Sequence, residues 1–150
     1  MARRHTIWIA IADGSRARIV APRNEGPGFD IVSEMSSAEA HVPSRAISAD
    51  RPGRTQESGY SGRHAIEPRQ DPHQERKAAF VRGLASQLNE AAEQERFDEL
   101  IIFAPPRCLA ELRGTLGKGA HKKIKAAVPK DLTKLPLSEL HRHLEALDQT

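Results

Sequence analysis

A mixed α/β fold, with helices packed on a five-stranded sheet, is what this 150-residue sequence predicts. Three observations predict it. The N-terminal part carries short strand-like runs, "TIWIAIA", "RARIVA" and "FDIVSE", separated by turn residues. The C-terminal half alternates helical apolar stripes with further short apolar runs, of which "LIIFA" is the clearest. Between the halves lies a long polar stretch without hydrophobic periodicity. An antiparallel meander followed by alternating helix and strand implies a mixed sheet with helices on its faces.

Each element has its own justification. Thr6 to Ala12 is apolar on both faces of a strand, which suits a central position covered on both sides. Asp13-Gly14 is a hairpin turn signal, and Arg16 to Ala21 returns as the second strand. "PRNEGPG" turns the chain again, and Phe29 to Glu34 alternates as the third. From about 36 to 70 no period survives. Pro43, Pro52 and Pro68 forbid regular pairing, while Gly53, Gly59 and Gly62 loosen the backbone. A structureless stretch of this length is expected to be a long flexible loop, functional or disordered.

Helical signals resume at Asp71. It can cap, Pro72 suits the first helical position, and Gln74 stands at capping-box spacing. Phe80, Leu84, Leu88 and Ala91 then form one stripe, and the helix is expected to end near Glu95 or Arg96. Leu100 to Ala104 is a fourth strand, apolar on both faces. Pro105-Pro106 stops it and opens a helix carrying Leu109, Leu112 and Leu116, which Gly114, Gly117 and Gly119 interrupt. A short strand is expected near Lys123–Val128. Pro136 opens a last helix with Leu137, Leu140, Leu144 and Leu147 on one side. The order β-β-β, loop, α-β-α-β-α is that of an RNase-H-like fold. One domain spanning 1–150 is the natural count for this length.

Composition narrows the class. Aromatic residues make up only 4%, so the core must be mainly aliphatic. The net charge of +3 permits an acidic partner such as RNA without demanding one. A single cysteine, Cys108, excludes an internal disulfide and suits a reducing cytosol. The N-terminal apolar run is too short for a signal peptide. No run approaches the roughly 20 apolar residues of a membrane span, so a cytoplasmic protein without membrane insertion is expected.

Several stretches together carry a family resemblance: "WIAIADGSRARI", "DRPGR", "SGRHAIEPRQDPHQ", "FDELIIFAPPRCLAELR" and "PKDLTKLPLSEL". Across nearly the whole chain the sequence resembles the bacterial host attachment protein family. The family name implies a role in attaching bacteria to host cells. None of these stretches is a catalytic signature. That family is in turn similar to the middle domain of archaeal and eukaryotic class-1 release factors. There a loop between the meander and the first long helix carries a Gly-Gly-Gln tripeptide that reaches the end of peptidyl-tRNA. The 36–70 loop lies at the corresponding place, but contains no Gly-Gly-Gln; Ser61-Gly62-Arg63 is the nearest local likeness. The resemblance therefore implies ribosome association by analogy of fold, and does not imply peptidyl-tRNA hydrolysis.

Two cationic stretches are candidate nucleic-acid contacts. Arg51, Arg54, Arg63, His64 and Arg69 stand in or beside the loop, where the planar arginine fork suits phosphate and Tyr60 could stack on a base. The bland reading is a solvated insertion without a ligand. The second stretch runs from Arg107 to Lys130 and includes Arg113, Lys118, Lys122, Lys123 and Lys125, with Glu111 as the neighbouring acid. Clustered cations replace counterions along a nucleic-acid backbone. The bland alternative is an ordinary solvated face. Gly117-Lys118-Gly119 lacks the spacing of a phosphate loop.

Catalytic and metal readings find less support. His141 and His143 are two apart on a helix and point apart, and His64 and His73 have no cysteine partner or metalloprotease pattern. A nuclease on this fold needs convergent carboxylates. Asp13 is explained by its turn, while Glu34 and Asp98-Glu99 end or precede strands. Cys108 next to Arg107 at a helix start could be a thiolate, but a small buried residue is the simpler role. The sequence therefore predicts a non-enzymatic RNA- or ribosome-associated module with no cofactor and no metal. A protein-interaction or adhesion factor is the alternative, and a hydrolase the third reading.

Overall fold

The computed structural model describes residues 5–37 and 72–148. The proposed cap Asp71 and nearly all of the 36–70 loop, including Arg51, Arg54, Arg63, His64 and Arg69, lie outside the described residues. Five strands form one sheet: β1 Ile7–Ala12, β2 Arg16–Pro22, β3 Phe29–Ser36, β4 Glu99–Phe103 and β5 Ile124–Val128. Their spatial order is β3-β2-β1-β4-β5. β1–β2 and β2–β3 pair antiparallel, whereas β1–β4 and β4–β5 pair parallel. This is the RNase-H-like mixed sheet read from the element order.

The doubly apolar sequences of β1 and β4 have a direct cause. Both strands are interior to the sheet, and both faces are covered. On one face Trp8, Ala10 and Ala12 join Ala17, Ile19, Leu100 and Ile102. There they meet α1 (Pro72–Glu93), α2 (Pro106–Thr115) and α3 (Lys118–Lys122). On the other face Ile9 and Ile11 join Val20, Ile101 and Phe103 under Leu132 and Leu140. Leu140 begins α4 (Leu140–Asp148), which a single 3-10 turn, Leu137–Glu139, precedes. The last helix thus starts later than Pro136 alone suggests. The period-2 alternation of a strand sends neighbouring residues to these two separate cores.

Helix α1 buries Val81, Leu84, Ala85, Leu88, Ala91 and Ala92, one broad apolar stripe, with Phe80 at its margin. It stops at Glu93, two to three residues before the expected Glu95 or Arg96. The reason is a left-handed C-terminal turn: Glu95 has φ 57°, and the Arg96 and Glu95 amides donate back to the Ala91 and Ala92 carbonyls at 2.9 and 3.0 Å. That closes the helix by satisfying two terminal carbonyls. The turn lays the Arg96 guanidinium over the Trp8 ring at 5.1 Å, and Trp8 stacks on Phe97 at 4.9 Å. β3 runs on to Ser36, two residues past the expected Glu34, and the Ser37 amide still donates to Ser15.

Candidate functional site

The parallel strands β1 and β4 lie side by side, and the chain leaves them in opposite directions. From β1 it turns through Asp13-Gly14 into β2; from β4 it passes Pro105 into α2 and on towards β5. In open α/β sheets such a divergence leaves a crevice at the carboxyl ends of the strands. A cavity of about 490 Å³ occupies it here, lined by Asp13, Gly14, Lys77, Val81, Arg107 and Glu111, with Gln74, Ala78, Pro105 and Cys108.

Its floor is a tightly bonded turn. The Asp13 amide donates to the Arg16 carbonyl at 3.0 Å. Asp13 Oδ1 accepts from the Ser15 amide at 2.9 Å, the Arg16 amide at 2.8 Å and the Ser15 hydroxyl at 3.2 Å. Gly14 has φ +94°, a conformation that other residues adopt only with strain. Asp13 Oδ2 faces the Thr133 hydroxyl at 3.3 Å. That hydroxyl also lies 2.6 Å from Asp131, so its one proton serves one carboxylate at a time. Burial raises the Asp13 pKa, but the bonds from Ser15, Arg16 and Thr133 outweigh it and hold the carboxyl below its ordinary range.

Cys108 sits at the cavity wall and is buried. Burial, and then the charges of Asp13, Asp131 and Glu111, push its thiol up to about 11. The helix start and Arg107, which from sequence could favour a thiolate, are outweighed. The structural role expected for this cysteine accords with its burial.

The basic residues of the second stretch are spread along the fold. Arg107 stands in the first turn of α2 at the carboxyl ends of the strands. Arg113 follows near the end of the same helix, and Lys118 and Lys122 lie on α3; all four are exposed. The Asn89 side chain holds the α2–α3 junction by accepting from the Gly117 amide at 2.8 Å. Lys123, half-buried, closes α3. Lys125 turns towards α4 instead, 3.9 Å from Glu99 and 4.0 Å from Asp148. Arg107 and Lys125 are thus at opposite ends of the sheet.

The acids considered for nuclease chemistry are likewise separated. Asp13 follows the end of β1, whereas Asp98 and Glu99 stand at the start of β4, beside Ile7. The length of one strand, roughly 20 Å, lies between them. Glu34 is on edge strand β3, opposite Arg18. Among the described residues no three His, Cys, Asp or Glu side chains are grouped to hold a metal ion. His141 Nδ1 lies against the Ser138 carbonyl and His143 edge-on to Phe103, so the two rings have different neighbours.

Sequence patterning did not single out Gln74, Lys77 or Thr133 as site residues. The first two lie on the exposed flank of a helical stripe and look like solvated positions. Thr133 had a local signal: its amide and hydroxyl both bond Asp131, two residues earlier, at 2.9 and 2.6 Å.

Known proteins similar to this chain fall into one sequence family and a set of solved structures. A sequence model of the family described as "Protein required for attachment to host cells" matches residues 8–144. No curated protein matches the chain. Among solved structures, similar chains include one described as an archaeal protein, at 12% identity and TM-score 0.45, over 96% of this chain and 38% of that one. Another is the archaeal translation termination factor aRF1, at 12% identity and TM-score 0.47, over 96% of this chain and 39% of that one. This chain therefore spans well under half the length of either.

Proposed function

The chain belongs to the family of proteins required for attachment to host cells, and from that premise we propose that it is a non-enzymatic, cytoplasmic module that binds RNA or a ribosomal surface, attachment being a downstream effect. One observation carries this reading. Arg107, Arg113, Lys118 and Lys122 are exposed, and none makes an ion pair among the described residues. Glu111, the acid nearest in sequence, lies 4.0 Å from Arg82 of α1. Cations without internal partners gain most from phosphate, because each contact releases a condensed counterion. Binding of this kind positions a nucleic-acid backbone and reads few bases. Arg51, Arg54, Arg63, His64 and Arg69 extend the proposed surface, together with Lys123. Lys125 contributes less, since Glu99 and Asp148 already share its charge.

The family description itself supports a second reading, a protein-interaction or adhesion factor. Ile31, on edge strand β3 and 51% exposed, is a large apolar side chain available to such a partner. No helix among the described residues is long and apolar enough to cross a membrane. Salt separates the two readings. Four phosphate contacts imply a roughly fifty- to 150-fold loss of affinity between about 50 and 200 mM salt. Co-sedimentation with ribosomes or labelled RNA that ignores salt would favour the protein partner.

A further inference from the structure

The cavity between β1 and β4 has an asymmetry in the groups free to bond a ligand that its composition hides. Among the described residues two acids and two bases line it, so their formal charges cancel. The acids, however, are already engaged. Asp13 Oδ1 accepts three hydrogen bonds from its own turn, and Oδ2 faces Thr133. Glu111 lies 4.0 Å from Arg82, which comes from outside the cavity lining. Lys77 and Arg107 make no ion pair and no side-chain hydrogen bond among the described residues. The groups left available to a ligand are therefore an ammonium, a guanidinium and the Gln74 amide, on two facing helices.

The remaining lining is apolar. Ala78, Val81 and Pro105 give a wall that a ring can lie against. Gly14 brings the turn close to α1: a Cβ built at this position would lie 3.5 Å from the Lys77 stem. The Lys77 chain is thus supported along its length beside Gly14. The volume of about 490 Å³ falls within the range of small-molecule sites and exceeds what a bare anion needs.

We propose that this cavity binds a nucleoside phosphomonoester, its phosphate held by Lys77 and Arg107 and its ring system on Ala78, Val81 and Pro105. The guanidinium fork can donate two parallel hydrogen bonds to phosphate oxygens, and the ammonium adds a point charge. Gln74 supplies a polar contact that can orient the sugar or base. The same chemistry is offered by a free mononucleotide and by the 5′-phosphorylated end of an RNA strand. The inference does not depend on ribosome or RNA association: Arg107 is common to both readings, but Lys77 of α1 belongs to the cavity alone.

The test is calorimetric titration of the whole chain with AMP, adenosine and inorganic phosphate, in the wild type, Lys77→Met and Arg107→Ala. Lys77→Met retains the stem against Gly14 and removes only the charge. Saturable binding of AMP is expected, with adenosine and phosphate each weaker, and a loss of about tenfold or more in each variant. Absence of saturable AMP binding would overturn the proposal, as would AMP binding no better than adenosine or phosphate. Unchanged AMP affinity in Lys77→Met, with thermal unfolding unaltered, would overturn it too. Competition by 5′-phosphorylated against 5′-hydroxyl oligonucleotides then assigns the source. Displacement of AMP by the phosphorylated strand alone identifies a strand end, and displacement by neither identifies the free nucleotide.

Discussion

Asp13 and Thr133, 120 positions apart in the chain, meet at 3.3 Å and join the β1–β2 turn to the segment after β5. Arg18 fastens the same segment from β2, donating to the Leu135 carbonyl at 2.6 Å and the Thr133 carbonyl at 3.3 Å. A turn that looks local in sequence is therefore a tertiary junction. Its carboxylate has a folded pKa below the ordinary value near 3.8. The stability it contributes is fully present above that value and is lost as pH falls through the lower folded pKa. Asp13→Asn should flatten the acid side of the stability curve below about pH 4. Denaturant titrations at stepped pH check this; an unchanged acid limb would mean that Asp13 does not titrate as the structure indicates.

Gly14 is required by its backbone. A Cβ there would meet the Lys77 stem at 3.5 Å, an ordinary contact, so crowding is not the cost. The cost is φ +94°. Gly14→Ala should lower stability by about 1–2 kcal/mol. Gly83, in α1 with open space around it, is the control: Gly83→Ala should stabilise by about 0.5–1 kcal/mol. Equal effects of the two substitutions in urea unfolding would contradict the turn geometry.

Cys108, with its thiol pushed up to about 11, should be almost wholly protonated at neutral pH. Burial adds a steric barrier. Reaction with a disulfide reagent at pH 8 should be much slower in the native protein than in denaturant, because the thiolate is the reactive form. Rapid labelling of the native chain at pH 8 would show that the α2 start opens freely.

The cationic surface can be tested independently of stability. Arg113→Ala, Lys118→Ala and Lys122→Ala together remove three exposed charges and no side-chain ion pair or hydrogen bond among the described residues. RNA or ribosome association should fall, its salt slope should lessen by about 2–3, and the melting temperature should hardly move. A parallel triple variant, Arg51→Ala, Arg54→Ala and Arg63→Ala, asks the same of the 36–70 segment. Undiminished co-sedimentation by both variants would remove phosphate contact from the account.

How legible the fold was differs between elements. β1 and β4 could be recognised because burial on both sides demands apolar residues at every position, and "IWIAIA" and "LIIF" supply them. α1 was recognisable from its stripe, but its end was not. Glu95 takes a left-handed conformation without being glycine, so the usual terminal signal is missing. Lys125 looked like part of one basic run with Lys122 and Lys123. It diverges because β5 begins at Ile124 and carries it beside Glu99 and Asp148, residues contributed by β4 and α4.

The sequence by itself determined the element order, the central position of β1, the need for a tight turn at Asp13-Gly14 and the excess of cations after Pro106. Those features follow from short-range periodicity, backbone conformational limits and charge, all of which act along the chain. Only the tertiary structure decided which charges remain available. It occupied Asp13 with Ser15, Arg16 and Thr133, set Glu111 beside Arg82, and left Lys77 and Arg107 facing one cavity. Electrostatic pairing depends on distance in space, and the strand order that sets those distances comes from burying both faces of the sheet at once.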